Sequence, residues 1–264
     1  TSFFMTKIGL PISTSQAIVG GIIGWNFYSH TSTDLSVLYK IAGTWVFSPI
    51  LTAIIAFLLF YLTKKIVESS KVHILHIDYY TRIGLLIVGA FGSYSLGANN
   101  IGNVMGIFVK LSPFKEISVA GIFHLSSAQQ LFFIGGIAIA IGVFTYSKKV
   151  MMTIGSGIFK LSPVTALVVV LATSITLFLF ASQGLYDFLA SHHLPTFPLV
   201  PVSSSQAVVG AVMGISFAKG GRNMNFKKLG QISLAWIATP IASAIISYIF
   251  LFFMQNVFMQ SVFK

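Results

Sequence analysis

PISTSQAIVGGIIG at residues 11–24 and PVSSSQAVVGAVMG at residues 201–214 are two copies of one motif. Each has a proline, a hydrophobe, three short hydroxyl side chains, a glutamine, and then an apolar run spaced by glycines. Each copy is followed by a Trp-x-x-(Ser/Thr)-Pro-Ile signature, Trp45–Ile50 and Trp236–Ile241. Two matched motifs at nearly the same offset, about 190 residues, indicate a duplication. The chain therefore divides into residues 1–82, the remainder of a first repeat, and residues 83–264, a second repeat that also holds GANNIGNVMG at 97–106.

Composition supplies the surroundings of this repeat. Of 264 residues, 55% are hydrophobic and only 8% charged, with a mean hydropathy of +0.89. A soluble domain needs roughly a quarter of its residues charged to cover its surface, so this chain faces lipid. The sequence predicts an all-α membrane protein, a polytopic helical bundle, multi-pass in the cell membrane. Net charge is +11, but the basic residues sit in short clusters at the ends of apolar runs, which is the positive-inside pattern and not a nucleic-acid surface. The absence of cysteine excludes disulfides, thiolate metal sites and a cysteine nucleophile. The opening TSFFMTKIGL has no initiator Met and runs directly into the first motif, so it does not read as a signal peptide.

A span needs about 20 helical residues, and Trp45–Thr63, Ile83–Val109, Gln129–Ser147, Pro163–Ala181 and Gln231–Phe253 qualify. Pro11–Phe27 and Pro201–Ala218 are apolar but open with Pro and hydroxyl residues, which suits two re-entrant or broken helical hairpins. Lys64, Lys65 and Lys71, then Lys148, Lys149 and Lys160, then Lys219, Arg222, Lys227 and Lys228 mark three cytoplasmic loops. The loop after the second motif is strongly basic and the one after the first nearly neutral, so the copies enter the membrane from opposite sides. Inverted-topology repeats with interrupted helices point to a secondary transporter, because two inverted copies can exchange roles to give two states open to opposite sides.

Two constellations offer a site. Ser13, Thr14, Ser15 and Gln16, with Ser203, Ser204, Ser205 and Gln206, place hydroxyls and amides at helix starts, where unpaired N–H groups attract anions. Asn99, Asn100 and Asn103 are costly at bilayer depth without partners. The surrounding glycines are expected to break that helix and free carbonyl oxygens for a small hard cation. The bland alternatives are helix caps, glycine packing and interhelical hydrogen bonds.

The GAN-x-x-x-N segment together with hydroxyl motifs in two halves resembles the PiT family of inorganic phosphate transporters, over most of the chain. The resemblance implies a dimeric inverted-repeat carrier that couples uptake of phosphate to sodium or protons, with no other cofactor. Ser13, Thr14, Ser15, Gln16, Asn100, Ser203, Ser204, Ser205 and Gln206 would hold the oxyanion. Asn99, Asn100 and Asn103 would hold the coupling ion, with sodium at Asn99 and Asn103.

Three departures bear on that expectation. No counterpart of the Asn segment precedes Pro11, so repeat symmetry predicts a full protein about 90–110 residues longer. The family's acidic residue is Asn100, and its frequent His is Gln16 and Gln206, so the site lacks a titratable group and sulfate remains the alternative cargo. His73, His76 and Asp78 are expected in a cytoplasmic loop, and His192 and His193 in an outer loop near Asp187. No nucleophile–base pair or paired carboxylates sit at membrane depth, which excludes an enzyme. An anion channel or structural subunit shares the composition but gains nothing from duplicated inverted motifs.

Overall fold

The computed structural model describes all residues except 8, 71–72, 120–122, 156, 222–223 and 263–264. Lys71 and Arg222 of the basic clusters lie outside the described residues. The described chain is almost entirely helical: α1 (Ser2–Lys7), α2 (Thr14–Tyr28), α3 (Leu35–Ser69), α4 (Ile74–Met105), α5 (Ser127–Gly155), α6 (Pro163–Ala181), α7 (Gln183–Ser191), α8 (Ser204–Ala218) and α9 (Phe226–Asn256). One antiparallel ribbon, Ile117–Val119 with Phe123–Leu125, interrupts the α4–α5 connection.

Among the described residues, α3, α5, α6 and α9 are long and apolar enough to cross a membrane. At 35 residues α3 is about 52 Å long, well beyond the hydrocarbon thickness of about 30 Å, so its ends stand in the interfaces. Side chains such as Phe144, Leu86 and Phe133 stand exposed on the bundle's outside, as lipid contact requires. The chain is a multi-pass membrane protein.

Several boundaries differ from expectation. The Ile83–Val109 span begins earlier and ends at Met105, where the chain tightens into a 3₁₀ segment, Gly106–Leu111. Its Asn and Ser residues lower its hydropathy, so α4 does not qualify as a span by composition alone. His76 and Asp78 lie on its first turns and not in a loop, with Asp78 accepting from Arg82 one turn on. Lys148 and Lys149 lie on the last turns of α5, and Lys227 and Lys228 on the first turn of α9. The connection at 183–199, expected as an outer loop, contains α7, on which Asp187 accepts from Gln183 while His192 caps the end and stacks on Phe188.

The central helix is α6, packed against α3, α4 and α8. Its Val168, Val169 and Ala172 join Ala56, Val209, Val212 and Ile215 in the main apolar core. Around this helix the repeated motifs make the same contact twice. In α2, a Cβ at Gly20 or Gly24 would overlap the carbonyl oxygens of Pro240 and Ala244 on α9. In α8, a Cβ at Gly210 or Gly214 would overlap those of Pro49 and Ala53 on α3. Each short helix therefore packs backbone to backbone on the proline-bearing long helix that follows the other copy of the motif.

Candidate functional site at the two short-helix starts

Pro11 and Pro201 fix φ and lack an N–H. They were expected to open the helices themselves, but the chain stays extended for two more residues, and Ser13 and Ser203 are the N-caps. Ser13 Oγ accepts from the Gln16 N–H at 3.2 Å and Ser203 Oγ from the Gln206 N–H at 3.3 Å. The first hydroxyl of each triplet thus has a structural partner, worth about 1 kcal/mol as a cap. The positive ends of α2 and α8 lie at these starts and favour an anion.

The two starts are tied together by the asparagines of α4. Asn99 Nδ2 donates to the Val202 carbonyl at 2.8 Å, and the Val202 N–H donates to Asn99 Oδ1 at 3.1 Å, so one side-chain amide pairs with both polar groups of one backbone residue. Asn103 Nδ2 donates to Ser15 Oγ at 3.0 Å, and Ser15 Oγ donates to the same Val202 carbonyl at 3.4 Å. Residues about 90 and 190 positions apart in sequence thereby form one buried polar cluster, with Asn99 5% and Ser15 2% exposed. The cost of burying these groups is offset because they bond one another.

The rest of the expected set divides. Ser205 Oγ lies 3.1 Å from Ser203 Oγ, and Ser204 is half-buried. Thr14 is exposed on the first turn of α2. Asn100 is turned away from the cluster, its Nδ2 donating to the Leu96 carbonyl of its own helix at 3.0 Å. The expected helix break at 97–103 does not occur: α4 is continuous through Met105, so its carbonyls there stay in the helical ladder and only side-chain oxygens are on offer. The three asparagines satisfy themselves from an intact helix, which removes the pressure to unwind it. Gln16 Oε1 and Gln206 Oε1 are buried without a partner among the described residues, each at a cost of about 1–3 kcal/mol.

Beside the cluster lies a cavity of about 350 Å³ lined by Ala98, Asn99, Gly102, Asn103, Phe180 and Pro201 among others. At about 30 Å³ per water it has room for about ten waters, ample for a small hydrated anion. A larger apolar groove between α2 and α9, lined by Ile23, Phe27 and Ile245, carries no such polar groups. Two participants escaped the sequence reading. Val202 acts through its backbone, which its side chain does not advertise. Trp236 Nε1 donates to the Pro11 carbonyl at 3.0 Å, and its only signal was membership of the duplicated Trp signature.

Comparison with known proteins places this architecture. A family model described as the phosphate transporter family matches residues 1–186 and 190–264. A protein of Methanocaldococcus jannaschii named as a phosphate permease is 29% identical over 240 residues, covering 91% of this chain and 67% of its own length. The sulfate permease CysP of Bacillus subtilis is 28% identical over 252 residues, covering 94% of this chain and 62% of that protein. A solved structure titled the sodium-dependent phosphate transporter matches with a TM-score of 0.66 at 21% identity, covering 96% of this chain and 76% of that one, which shows a shared fold. With a family match over nearly its whole length, the chain is a transporter and belongs to the phosphate transporter family.

Proposed function

We propose that this chain is a secondary active transporter that moves inorganic phosphate by alternating access, with sodium or protons as the coupling ion, as a homodimer in the cell membrane. The observation that carries this reading is the polar cluster in which Asn99, Asn103, Ser15 and the Val202 backbone join the starts of α2 and α8. Ser13, Ser203, Ser204 and Ser205, with the helix N-termini, supply donors to an oxyanion, and Ser15 joins them when its hydroxyl turns from the Val202 carbonyl. Asn99 and Asn103 offer amide oxygens to a sodium ion, Thr14 and Asn100 stand outside the cluster as rim contacts, and repeats 1–82 and 83–264 act as the two inverted halves.

Sulfate is the second reading, supported by the similarity to CysP and by a site without charged side chains. The buried Oε1 atoms of Gln16 and Gln206 favour phosphate over it. They are acceptors, and a protonated phosphate carries a P–OH to donate where sulfate has none.

The test is uptake of radiolabelled phosphate by proteoliposomes, with sodium and pH gradients imposed separately and sulfate as competitor. Gradient-driven phosphate uptake that is lost in Asn99→Ala with Ser205→Ala is the expected result. Sulfate uptake without phosphate uptake would keep the fold and transfer the site to the second cargo.

A further inference from the structure

The two halves of the molecule repeat the N-caps and the glycine contacts of the short helices, but not the indole bond that follows. Trp236 on α9 donates its indole N–H to the Pro11 carbonyl at 3.0 Å, just ahead of α2. Its counterpart Trp45 lies on α3, the helix packed on α8, four residues before Pro49 as Trp236 lies four before Pro240, yet its Nε1 is buried and has no partner among the described residues. The acceptor it would use by symmetry, the Pro201 carbonyl, belongs to a residue lining the 350 Å³ cavity.

We infer that Trp45 and Trp236 are positioning residues of the transport cycle, each tethering the proline carbonyl ahead of the neighbouring short helix when that half is closed and releasing it when that half is open. This rests on the alternating-access reading above. The glycine-to-carbonyl contacts of α2 on α9 and of α8 on α3 are the same in both halves, so the helices carrying donor and acceptor are already docked. Only the extended residues before each helix differ. Pro11 is buried and Leu10 packs against the main core, whereas Pro201 is half-buried and Leu199 and Val200 line the cavity. Asn99 holds Val202 by both its backbone groups, toward α4. A buried indole N–H left unpaired on the helix against which α8 is docked favours the closed arrangement of the second half, as the Trp236 bond favours the closed arrangement of the first. Opposite bonds of similar strength give the near balance that two exchangeable states require.

The chain has no cysteine, so single cysteines introduced into it meet no background from its own residues. In the full protein in liposomes with a membrane-impermeant maleimide on both faces, without phosphate, Val200→Cys reports the second half and Leu10→Cys, its repeat counterpart, the first. Trp45→Phe is expected to raise the Val200→Cys to Leu10→Cys rate ratio about fivefold and Trp236→Phe to lower it about fivefold, the size set by one hydrogen bond. The double variant returns toward the parent. Where a Phe variant fails to fold, benzothienylalanine at the same position keeps the ring shape and removes only the N–H, and the same ratio is read. Shifts in the same direction, or none in either variant, overturn the tether alone. A parent protein in which only one cysteine ever reacts overturns the alternating-access reading, and the tether with it.

Discussion

The segments at 11–28 and 201–218 share a motif, a cap and a glycine contact, yet they occupy different surroundings. Ser15 is buried and bridges to Val202 before the second short helix, while its counterpart Ser205 is half-buried and, among the described residues, reaches Ser203 of its own turn. Pro11 is sealed and Pro201 faces a cavity. The lesson is a division of labour: residues within a motif set where a helix begins, and partners supplied by distant helices decide which of its backbone groups meet solvent.

The hardest blow to what the two regions share falls on their glycines. Gly20→Ala and Gly210→Ala each drive a methyl into a backbone carbonyl, which cannot yield as a flexible side chain can. Both are expected to lose about 3 kcal/mol or more, read as a fall in thermal stability in detergent, whereas Gly21→Ala, which meets nothing, stays within about 1 kcal/mol of the parent. Unequal losses at Gly20 and Gly210 would show that the two packed pairs are not energetically equivalent.

What separates the regions is addressed by the asparagines. Asn99→Ala orphans the buried N–H of Val202, leaves its C=O only the 3.4 Å bond from Ser15, and is expected to cost about 2–4 kcal/mol, with hydrogen exchange accelerated at 201–206 and unchanged at 11–16. Asn100→Ala, which removes only a bond to its own helix, is expected to stay within about 0.5 kcal/mol. Equal acceleration at both starts would mean that α4 holds the two as one unit.

The mildest contrast lies at the caps of the proline-bearing helices. Asp34 caps α3 and Asn225, at the equivalent place, caps α9. A hydrogen bond from the Ser36 hydroxyl, then those from the Val37 and Ser36 N–H groups, hold the Asp34 carboxyl below its ordinary value. Its folded value being depressed, its contribution is complete above the ordinary value of about 3.9 and fades as pH falls through the lowered one. Amide exchange in the first turn of α3 is therefore expected to quicken relative to α9 below about pH 4, and Asp34→Asn to abolish the difference.

Much of this was legible in sequence. The five long helices and the two short ones were placed by apolar runs and by proline followed by hydroxyls, and the duplicated Trp signature marked the partner helices. Helix ends slid outward by several residues wherever Lys148, Lys149 or Asp78 stood on a helix that continues into the interface, because charge marks the membrane boundary and not the helix boundary. The unbroken α4 was not foreseen: glycine count argued for a break, but Asn99 and Asn103 find partners across helices. Nor was Val202, since a backbone contribution leaves no trace in side-chain identity.

The cluster between the short helices is made of hydroxyls, amides and peptide groups, none of which bears charge at any physiological pH. Electrically, the unloaded site is silent. A membrane voltage does work of about 2.3 kcal/mol per elementary charge per 100 mV, and at this site it acts only on what the site carries. On the role proposed for this cluster, the sign and size of the transport current report the cargo and its companion ions, with no share contributed by these side chains.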